Sequence, residues 1–419
     1  MQGWIGVDFG TTNSVVTAIG PDGTASTSRF GAPGLDTFRS VLCFWTAIRQ
    51  RGTRLLHAAG PEAIEAYLAD PLDARLMLSL KTYLAQASFT QTQVFGTALS
   101  LEALVGLFLR ALLDAAGVPP GASIVAGRPV RFAGEAADDA LGEARLRATY
   151  QHAGAGRMHL APEPEAAGYR FTRGLDAPAT VLIGDFGGGT SDFSLLRFEP
   201  DQARPTTALA SSGVGVAGDS LDFRIIDRVV SPLLGKGGSY SPGNTLLPVP
   251  PEFYSSFARW HRLSQMRSPR TLRDIAAVAG MAADPQPLRH LIRLIEDEAA
   301  YPLYQAVAAV KAELSRADHA TLRFVHEDFE VSAPIARHEF EAWIAPDLAH
   351  MAAGIDHALA QAAIPASAVD RVFLTGGTSF VPAVRALFTK RFGAGRVSAG
   401  GEFVSVSEGL ALIGQDLPA

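Results

Sequence analysis

The chain has 419 residues, 47% of them hydrophobic and 19% charged, which predicts a folded globular protein of two or more domains and excludes a disordered chain. The net charge of −6, without a run rich in Lys or Arg, argues against a nucleic-acid partner. Cys43 is the only cysteine, which excludes an internal disulfide, and no apolar run has the length of a membrane span or the form of a signal peptide. We therefore expect a cytoplasmic protein with no membrane partner.

The first predicted element is a β-hairpin over residues 5–16. Its first strand ends at Asp8, and its turn contains Gly10, Thr11 and Thr12. Backbone N–H groups in a glycine turn form a concave site for an anion, and the threonine hydroxyls add donors. The alternative is a plain hairpin in which the glycine serves only the turn.

The next 150 residues contain two charged side chains of interest. Lys81 lies in a segment with helical spacing, where the ordinary interpretation is a solvated surface lysine. Residues 101–116 predict an amphipathic helix, because their apolar side chains recur at steps of three and four. Glu163 lies between Pro162 and Pro164 at the start of a short helix. The prolines present Glu163 rigidly, which suits a group that must be placed accurately, although they also serve simply to begin a helix.

The same plan recurs in residues 181–196, which predict a second hairpin. Asp185 and Asp192 flank its turn. A carboxylate beside a phosphate repels it unless a cation lies between them, so this pair indicates Mg²⁺. The Asp-Phe-Gly triplet at 185–187 is a near copy of the one at 8–10. This weak internal repeat predicts two related halves whose hairpins close on one polyphosphate. The second turn consists of three glycines and a threonine, namely Gly187, Gly188, Gly189 and Thr190.

The rest of the chain is predicted to be mainly helical. Residues 235–251 are rich in Gly, Pro and Ser and predict a long loop. Residues 252–315 predict helices throughout, with Lys311 beside the buried stripe. Residues 340–363 predict a long helix with a bend at Pro346.

The last motif is a strand that runs through Gly376 and Gly377 into a helix, over residues 371–382. A glycine pair at the carboxyl end of a strand in an α/β sheet is a place where ligands dock. The alternative is a simple strand-to-helix turn.

Two hairpins that carry aspartate, a glutamate between prolines and a late glycine pair, in that order, resemble the actin-like ATPase superfamily. That superfamily includes actin, sugar kinases and the seventy-kilodalton heat-shock chaperones, and the chaperones match best: residues 6–14 and 185–192 look like their two phosphate motifs and residues 163–167 look like their connecting helix. The resemblance implies an α/β, two-lobed actin-like ATPase fold in which each lobe has a ribonuclease-H-like mixed sheet. Lobe I would be residues 1–174 with 398–419, and lobe II would be residues 175–397, with 218–338 as its helical subdomain.

The resemblance also implies ATP or ADP with Mg²⁺ as cofactors and a role for each matching residue. Asp8 and Asp185 would order the metal shell. Lys81 would lie beside the γ-phosphate and the attacking water, in a catalytic set with Glu163, Asp192, Thr190 and Thr11. The nucleotide would be held at its phosphates by Gly10, Thr11, Thr12, Gly187, Gly188, Gly189 and Thr190, from the second lobe by Gly218, and around adenosine by Lys311, Ser315, Gly376, Gly377, Thr378 and Phe380.

Three single positions and one loop depart from the chaperone pattern. The loop is the family's acidic Gly-Gly-Glu-Asp segment, which reads Ala217-Gly218-Asp219-Ser220 here. Ala308 and Ala312 stand where the family's adenosine helix has Glu and Arg, and Phe380 stands where the family has an Arg that stacks on adenine. A Phe ring can still stack, but without charge, so these departures affect nucleotide affinity and base selectivity more than phosphate chemistry. The chain also ends soon after residue 413, so we expect no interdomain linker, peptide-binding domain or helical lid.

We therefore expect a monomeric, slowly hydrolysing ATPase that acts as a nucleotide-dependent switch, with a nucleotide and a protein client or co-chaperone as partners. Three alternatives stay open: a nucleotide sensor that barely hydrolyses ATP, a small-molecule kinase of the same superfamily, and a filament former like actin. The sequence contains no recognisable Asp base at a sugar pocket for a kinase, and nothing in it demands a filament.

Overall fold

The computed structural model describes residues 3–31, 34–49, 52–70, 73–133, 137–200, 206–259, 266–297, 299–399 and 404–417. Its strands are β1 Ile5–Phe9, β2 Asn13–Ile19, β3 Ala25–Thr27, β4 Phe38–Arg39, β5 Val41–Arg49, β6 Gly52–Ala59, β7 Ala74–Leu78, β8 Gln91–Val94, β9 Thr97–Ser100, β10 Ile124–Arg128, β11 Met158–Pro162, β12 Ala179–Phe186, β13 Ser191–Phe198, β14 Thr206–Val214, β15 Ser239–Tyr240, β16 Leu247–Pro248, β17 His319–His326, β18 Phe329–Ala336, β19 Arg371–Thr375 and β20 Val397–Ala399. Its α-helices are α1 Gly60–Ala69, α2 Leu101–Ala115, α3 Asp139–His152, α4 Glu163–Thr172, α5 Gly218–Ile225, α6 Ser231–Leu233, α7 Pro251–Phe257, α8 Pro269–Ala279, α9 Gln286–Glu296, α10 Ala300–Leu314, α11 Arg337–Trp343, α12 Ala345–Gln361, α13 Pro382–Phe392 and α14 Ser405–Gln415. Two 3-10 helices, Leu80–Tyr83 and Gly377–Phe380, bear on the site.

The chain folds as two compact units. The first comprises residues 1–218 and 349–419, and the second comprises residues 219–348. No helix in the described part of the chain is long and apolar enough to cross a membrane. The lobe boundaries implied by the resemblance stay a prediction.

Two five-stranded paths of β-sheet in the first unit share one topology. The first runs β3-β2-β1-β10-β11, and the second runs β14-β13-β12-β19-β20. In each path the strand that bears the hairpin aspartate is antiparallel to the next strand along the chain and parallel to a later one. Both predicted hairpins and the mixed α/β class are confirmed. Asp8 and Asp185 are each the next-to-last residue of their strands.

Burial explains the residue choice in these elements. Strand β12 contains three consecutive residues that are fully buried, namely Val181, Leu182 and Ile183. A central strand that is covered on both faces has such a continuous apolar run in its sequence. Helix α2 lies where the apolar periodicity predicted it. The Ser100 hydroxyl accepts a hydrogen bond from the Ala103 N–H and caps the start of that helix.

Helix α14 packs closely on α4, the helix that begins with Glu163. A Cβ at Gly409 would lie 1.7 Å from the carbonyl oxygen of Ala166, so only glycine allows this approach. Val406 and Leu410 of α14 share a buried apolar cluster with Ala166. This packing holds α4 in place, and with it the glutamate at its first position.

The second unit is mostly helical and includes the β17–β18 hairpin. The prediction of helix throughout residues 252–315 is wrong between α8 and α9, where Gly280 and Pro285 bound a turn. The predicted loop 235–251 contains the paired strands β15 and β16, which are too short to produce a periodic pattern. The bend at Pro346 is confirmed, because α11 ends and α12 begins immediately before it.

Candidate functional site

The centre of the candidate site is an ion pair between Lys81 and Glu163. The Nζ of Lys81 lies 2.5 Å from the Oε1 of Glu163, and the two side chains are 8% and 9% exposed. Lys81 lies on the 3-10 helix Leu80–Tyr83, and Glu163 is the first residue of α4. The interpretation of Lys81 as a solvated surface lysine is therefore wrong. Apolar periodicity could not reveal this pair, because its members are 82 positions apart.

Three aspartates of the two hairpins lie close enough to this pair to alter one another's charge. Burial, and then the charge of Glu163, raises the pKa of Asp8 well above its usual value. The same causes raise the pKa of Asp185 to about 8 and that of Asp192 to about 7. Burial alone would lower the pKa of Lys81, but the charges of Glu163 and Asp8 outweigh it and the pKa is raised. Among the described residues, this cluster thus contains one base, Lys81, and four acids, namely Asp8, Glu163, Asp185 and Asp192.

The turns of the two hairpins lie next to each other. A Cβ placed on Gly189 would lie 4.0 Å from the hydroxyl oxygen of Thr11. The second turn is closed by a hydrogen bond from the Gly187 N–H to the Thr190 carbonyl oxygen at 3.0 Å. The Gly218 N–H donates to the Gly187 carbonyl oxygen at 3.3 Å. The structure therefore brings together Gly10, Thr11, Thr12, Gly187, Gly188, Gly189, Thr190 and Gly218 around the aspartates.

Asp192 is held from within its own hairpin. It is 2% exposed, and the Thr190 hydroxyl donates a 3.0 Å hydrogen bond to its Oδ2. Asp8 and Asp185 differ from it in keeping partial access to solvent. The site is thus open on the side of Asp8 and Asp185 and closed behind Asp192.

Several buried hydroxyl groups near the cluster have no hydrogen-bond partner among the described residues. They include Thr12 Oγ1 in the first turn and Ser79 Oγ just before the 3-10 helix. A third is the hydroxyl of Tyr150, which is fully buried and whose pKa is raised by burial and then by the charges of Asp8 and Glu163. Leaving a buried polar group unpaired costs roughly 1–3 kcal/mol, so these groups suit a site that a polar ligand completes. Nothing in the sequence marks Tyr150, because a tyrosine within a helix has no distinguishing pattern.

The glycine pair of the last motif lies beside the second hairpin. Strands β12 and β19 are parallel, with Asp185 opposite Thr375. Gly376 has a φ of 86°, and a Cβ there would lie 2.0 Å from the carbonyl oxygen of Phe186, so this position requires glycine. The following 3-10 helix, Gly377–Phe380, has Thr378 buried and Phe380 44% exposed.

The two remaining candidates lie in the second unit. Lys311 Nζ lies 2.8 Å from Oδ1 of Asp222, and the two side chains are 18% and 17% exposed. The Ser315 hydroxyl donates to the Lys311 carbonyl oxygen at 3.1 Å at the end of α10. Nothing in the sequence near Lys311 indicates Asp222 as its partner. A role for Lys311 and Ser315 beside adenosine stays a prediction.

The donors of the cluster fit a divalent cation. No group of three or more His, Cys, Asp or Glu side chains among the described residues is arranged to hold an ion by itself. Mg²⁺ ordinarily takes one or two carboxylates and completes its shell with water and phosphate oxygens. Asp8 and Asp185 supply two acidic groups that repel each other and keep partial solvent access, which matches that requirement.

The raised pKa of Asp192 predicts a pH-dependent stability of the nucleotide-free protein. Its folded-state value of about 7 exceeds the ordinary 3.8, so its contribution is full below about pH 4 and is lost as the pH rises through 7. We expect the melting temperature to fall between pH 5 and 8, and to fall less steeply in Asp192→Asn. The control is Asp114→Asn, whose side chain is 64% exposed on α2. Equal slopes for the wild type and Asp192→Asn would contradict the prediction.

Comparisons with known proteins show what the chain is similar to. The sequence model described as Hsp70 protein matches residues 289–413. The chain is 24% identical over 404 residues to Chaperone protein DnaK of Deinococcus deserti, with 91% of this chain and 54% of that protein covered. It is 25% identical over 405 residues to the Chaperone protein HscA homolog of Azotobacter vinelandii, with 91% and 52% covered. The chain is thus similar to these chaperones over 91% of its length.

The resemblance to the heat-shock chaperones is thereby confirmed. The chain spans about half the length of the curated Hsp70 relatives it matches. The matched range 289–413 contains Lys311 and the turn at Gly376, whereas both hairpins precede it. The geometry of the hairpins is thus an observation separate from the match to the Hsp70 model.

Proposed function

We propose that this chain binds ATP and ADP with Mg²⁺, hydrolyses ATP slowly and acts as a nucleotide-dependent conformational switch of the chaperone type. The observation that carries the proposal is the buried Lys81–Glu163 pair, which lies among three aspartates beside two glycine turns. Four acidic side chains around a single lysine repel one another, which costs folding free energy unless a cation joins them. Strongly shifted pKa values of this kind cluster at functional sites. The shared topology of the two sheets supports the two-lobed actin-like fold as part of the same proposal.

Each group of the site has a separate proposed role that follows from its position. The N–H groups of Gly188 and Gly189 bind phosphate oxygens without side chains in the way. Lys81 places a fixed positive charge beside the γ-phosphoryl group during its transfer to water. Asp192 orients that water, and its pKa of about 7 allows it to accept a proton at neutral pH. Mg²⁺, held by Asp8 and Asp185, would supply the charge that neutralises the phosphates.

Two features keep a nucleotide sensor with little hydrolysis as a second candidate. Ala308 and Ala312 lack the charges of the family's adenosine helix. Phe380 is an exposed aromatic ring, which stacks on a base without a cationic contribution. These departures weaken base recognition, so the switch could operate through binding alone.

A protein client or co-chaperone is the proposed partner, and the cytoplasm is the proposed location. The partner follows from the relatives, which are named as chaperones. The location follows from the use of a single cysteine, which fits a reducing compartment. The identity of roughly one residue in four leaves the client to experiment.

The proposal is tested with the purified wild-type chain. We expect calorimetry to show ATP binding that depends on Mg²⁺, and a phosphate-release assay to show slow turnover that exceeds the spontaneous rate. Binding without turnover would replace the ATPase with the sensor. ATP consumption that depends on an added sugar or polyol would indicate a kinase, and light scattering that depends on ATP would indicate a filament. The absence of any nucleotide binding would contradict the proposal as a whole.

A further inference from the structure

Arg145 is a buried arginine on helix α3, with 8% of its surface exposed. Its Nη1 lies 3.0 Å from the carbonyl oxygen of Gln86, 3.2 Å from that of Leu84 and 3.5 Å from that of Tyr83. Its Nε lies 3.1 Å from the carboxylate of Glu102 on helix α2. One guanidinium group therefore joins α2 and α3 to a single loop.

That loop carries Lys81. Lys81 is the second residue of the 3-10 helix Leu80–Tyr83, and the Leu84 N–H donates to its carbonyl oxygen at 3.2 Å. Immediately before this helix, Ser79 has a φ of 53°, in the left-handed region. A residue other than glycine stays there only where its surroundings hold it. The carbonyl contacts of Arg145 hold the loop from its other end.

We propose that Arg145 is a positioning residue for Lys81, which keeps the Lys81 ammonium group at the phosphate site by anchoring the backbone that follows it. The inference rests on the proposed role of Lys81 in ATP hydrolysis. Lys81 has a flexible side chain, so the location of its ammonium group depends on where its backbone is held. Displacing a catalytic group by about 1 Å costs on the order of 100-fold in rate, so a distant anchor has a catalytic effect.

The contact requires arginine in particular. The guanidinium is planar and carries five N–H donors in a fixed fork, whereas a lysine ammonium is a single point with three donors. The conservative variant Arg145→Lys keeps the charge beside Glu102, but it cannot also reach the three carbonyl oxygens. The variant therefore separates the effect of the Arg145 charge from the effect of its hydrogen bonds to the loop.

The first test follows the exposure of Lys81 directly and needs no enzymatic activity. The full chain is treated with an amine-acylating reagent, and labelling at each lysine is followed by mass spectrometry. In Arg145→Lys and Arg145→Met we expect Lys81 to be labelled about tenfold faster than in the wild type, because a displaced ammonium loses its ion pair and gains access to solvent. The partly buried Lys236 and Lys311, paired with Asp227 and Asp222, serve as internal references and should keep their rates. Equal acceleration at all three lysines would mean general destabilisation and would overturn the proposal.

The second test is kinetic. We expect kcat for ATP hydrolysis to fall about 10- to 100-fold in Arg145→Lys while KM changes by less than about threefold. The same substitution made in a Lys81→Ala background should cause no further loss, since Arg145 acts through Lys81. The matched control is Arg147→Met, two residues along α3, where the side chain is 44% exposed and pairs with Glu143. A loss of rate in the Lys81→Ala background equal to that in the wild type would contradict the inference.

The two tests separate this inference from the proposed function. If the wild type does not hydrolyse ATP, the ATPase proposal fails, whereas selective labelling of Lys81 in the Arg145 variants would still support the anchoring role. If Arg145→Met does not fold, Arg145→Lys and Glu102→Gln provide the measurement. Glu102→Gln leaves the carbonyl contacts in place, so we expect it to leave Lys81 labelling close to the wild-type rate.

Discussion

Replacing Lys81 with alanine is expected to reduce kcat for ATP hydrolysis by about 100-fold or more, because the site loses its fixed positive charge at the phosphate. Lys81 is the one base within the acidic cluster, and its ammonium group is buried. The loss should lie mainly in kcat, since the charge acts most strongly where negative charge develops during phosphoryl transfer. Steady-state phosphate release at saturating ATP and Mg²⁺ measures it. Unchanged hydrolysis would contradict the catalytic role.

Stability requires a control of its own in this experiment. Removing Lys81 alone leaves Glu163 buried without its cation, which typically costs about 3–5 kcal/mol of stability. The double variant Lys81→Met with Glu163→Gln removes both charges, so we expect it to recover most of the lost melting temperature and none of the activity. Lys236→Ala breaks a more exposed ion pair with Asp227 and should keep wild-type hydrolysis.

Replacing Asp185 with asparagine is expected to have opposite effects on stability and binding. In the nucleotide-free protein at pH 8.5 the variant should melt several degrees higher, because Asp185, whose pKa is raised to about 8, is largely ionised there at a cost to the folded state. The shift that Mg²⁺ and ATP together produce in the wild type should largely disappear, because the proposed metal shell loses a carboxylate. A thermal melt with and without Mg²⁺ and ATP measures both effects.

The higher melting temperature expected of Asp185→Asn at pH 8.5 follows from the linkage between proton binding and folding. A carboxyl group whose pKa is raised in the folded state stabilises that state fully below its unfolded value of about 4, and the contribution is lost as the pH rises through 8. The gain from Asp185→Asn should therefore shrink when the melt is repeated at pH 5. Asp176→Asn, at an exposed position before β12, is the control and should match the wild type at both pH values. A variant that melts lower than the wild type at pH 8.5 but keeps its Mg²⁺-ATP shift would contradict both the repulsion and the metal role.

Local chemistry made much of the site predictable. Glycine turns after apolar strands and a glutamate between prolines constrain their own backbones, because a missing Cβ or a fixed φ acts within a few residues. The aspartates Asp8 and Asp185 lie where that reasoning placed them, near the ends of paired strands. The break between α8 and α9 was missed because apolar spacing on both sides of it suggested helix, and the strands β15 and β16 are too short to show a period.

By itself, then, the sequence determined the two hairpins and the acid at the start of α4, and it indicated the resemblance to the heat-shock chaperones. Only the tertiary structure showed that Lys81 is buried in an ion pair with Glu163, because nothing near Lys81 in the chain indicates Glu163 as its partner. The same holds for Arg145, whose carbonyl acceptors lie some 60 positions away, and for Tyr150, whose hydroxyl is unpaired. The physical reason is that periodicity and backbone preferences act over a turn or two of chain, whereas ion pairs and buried hydrogen bonds depend on which distant segments the core brings together.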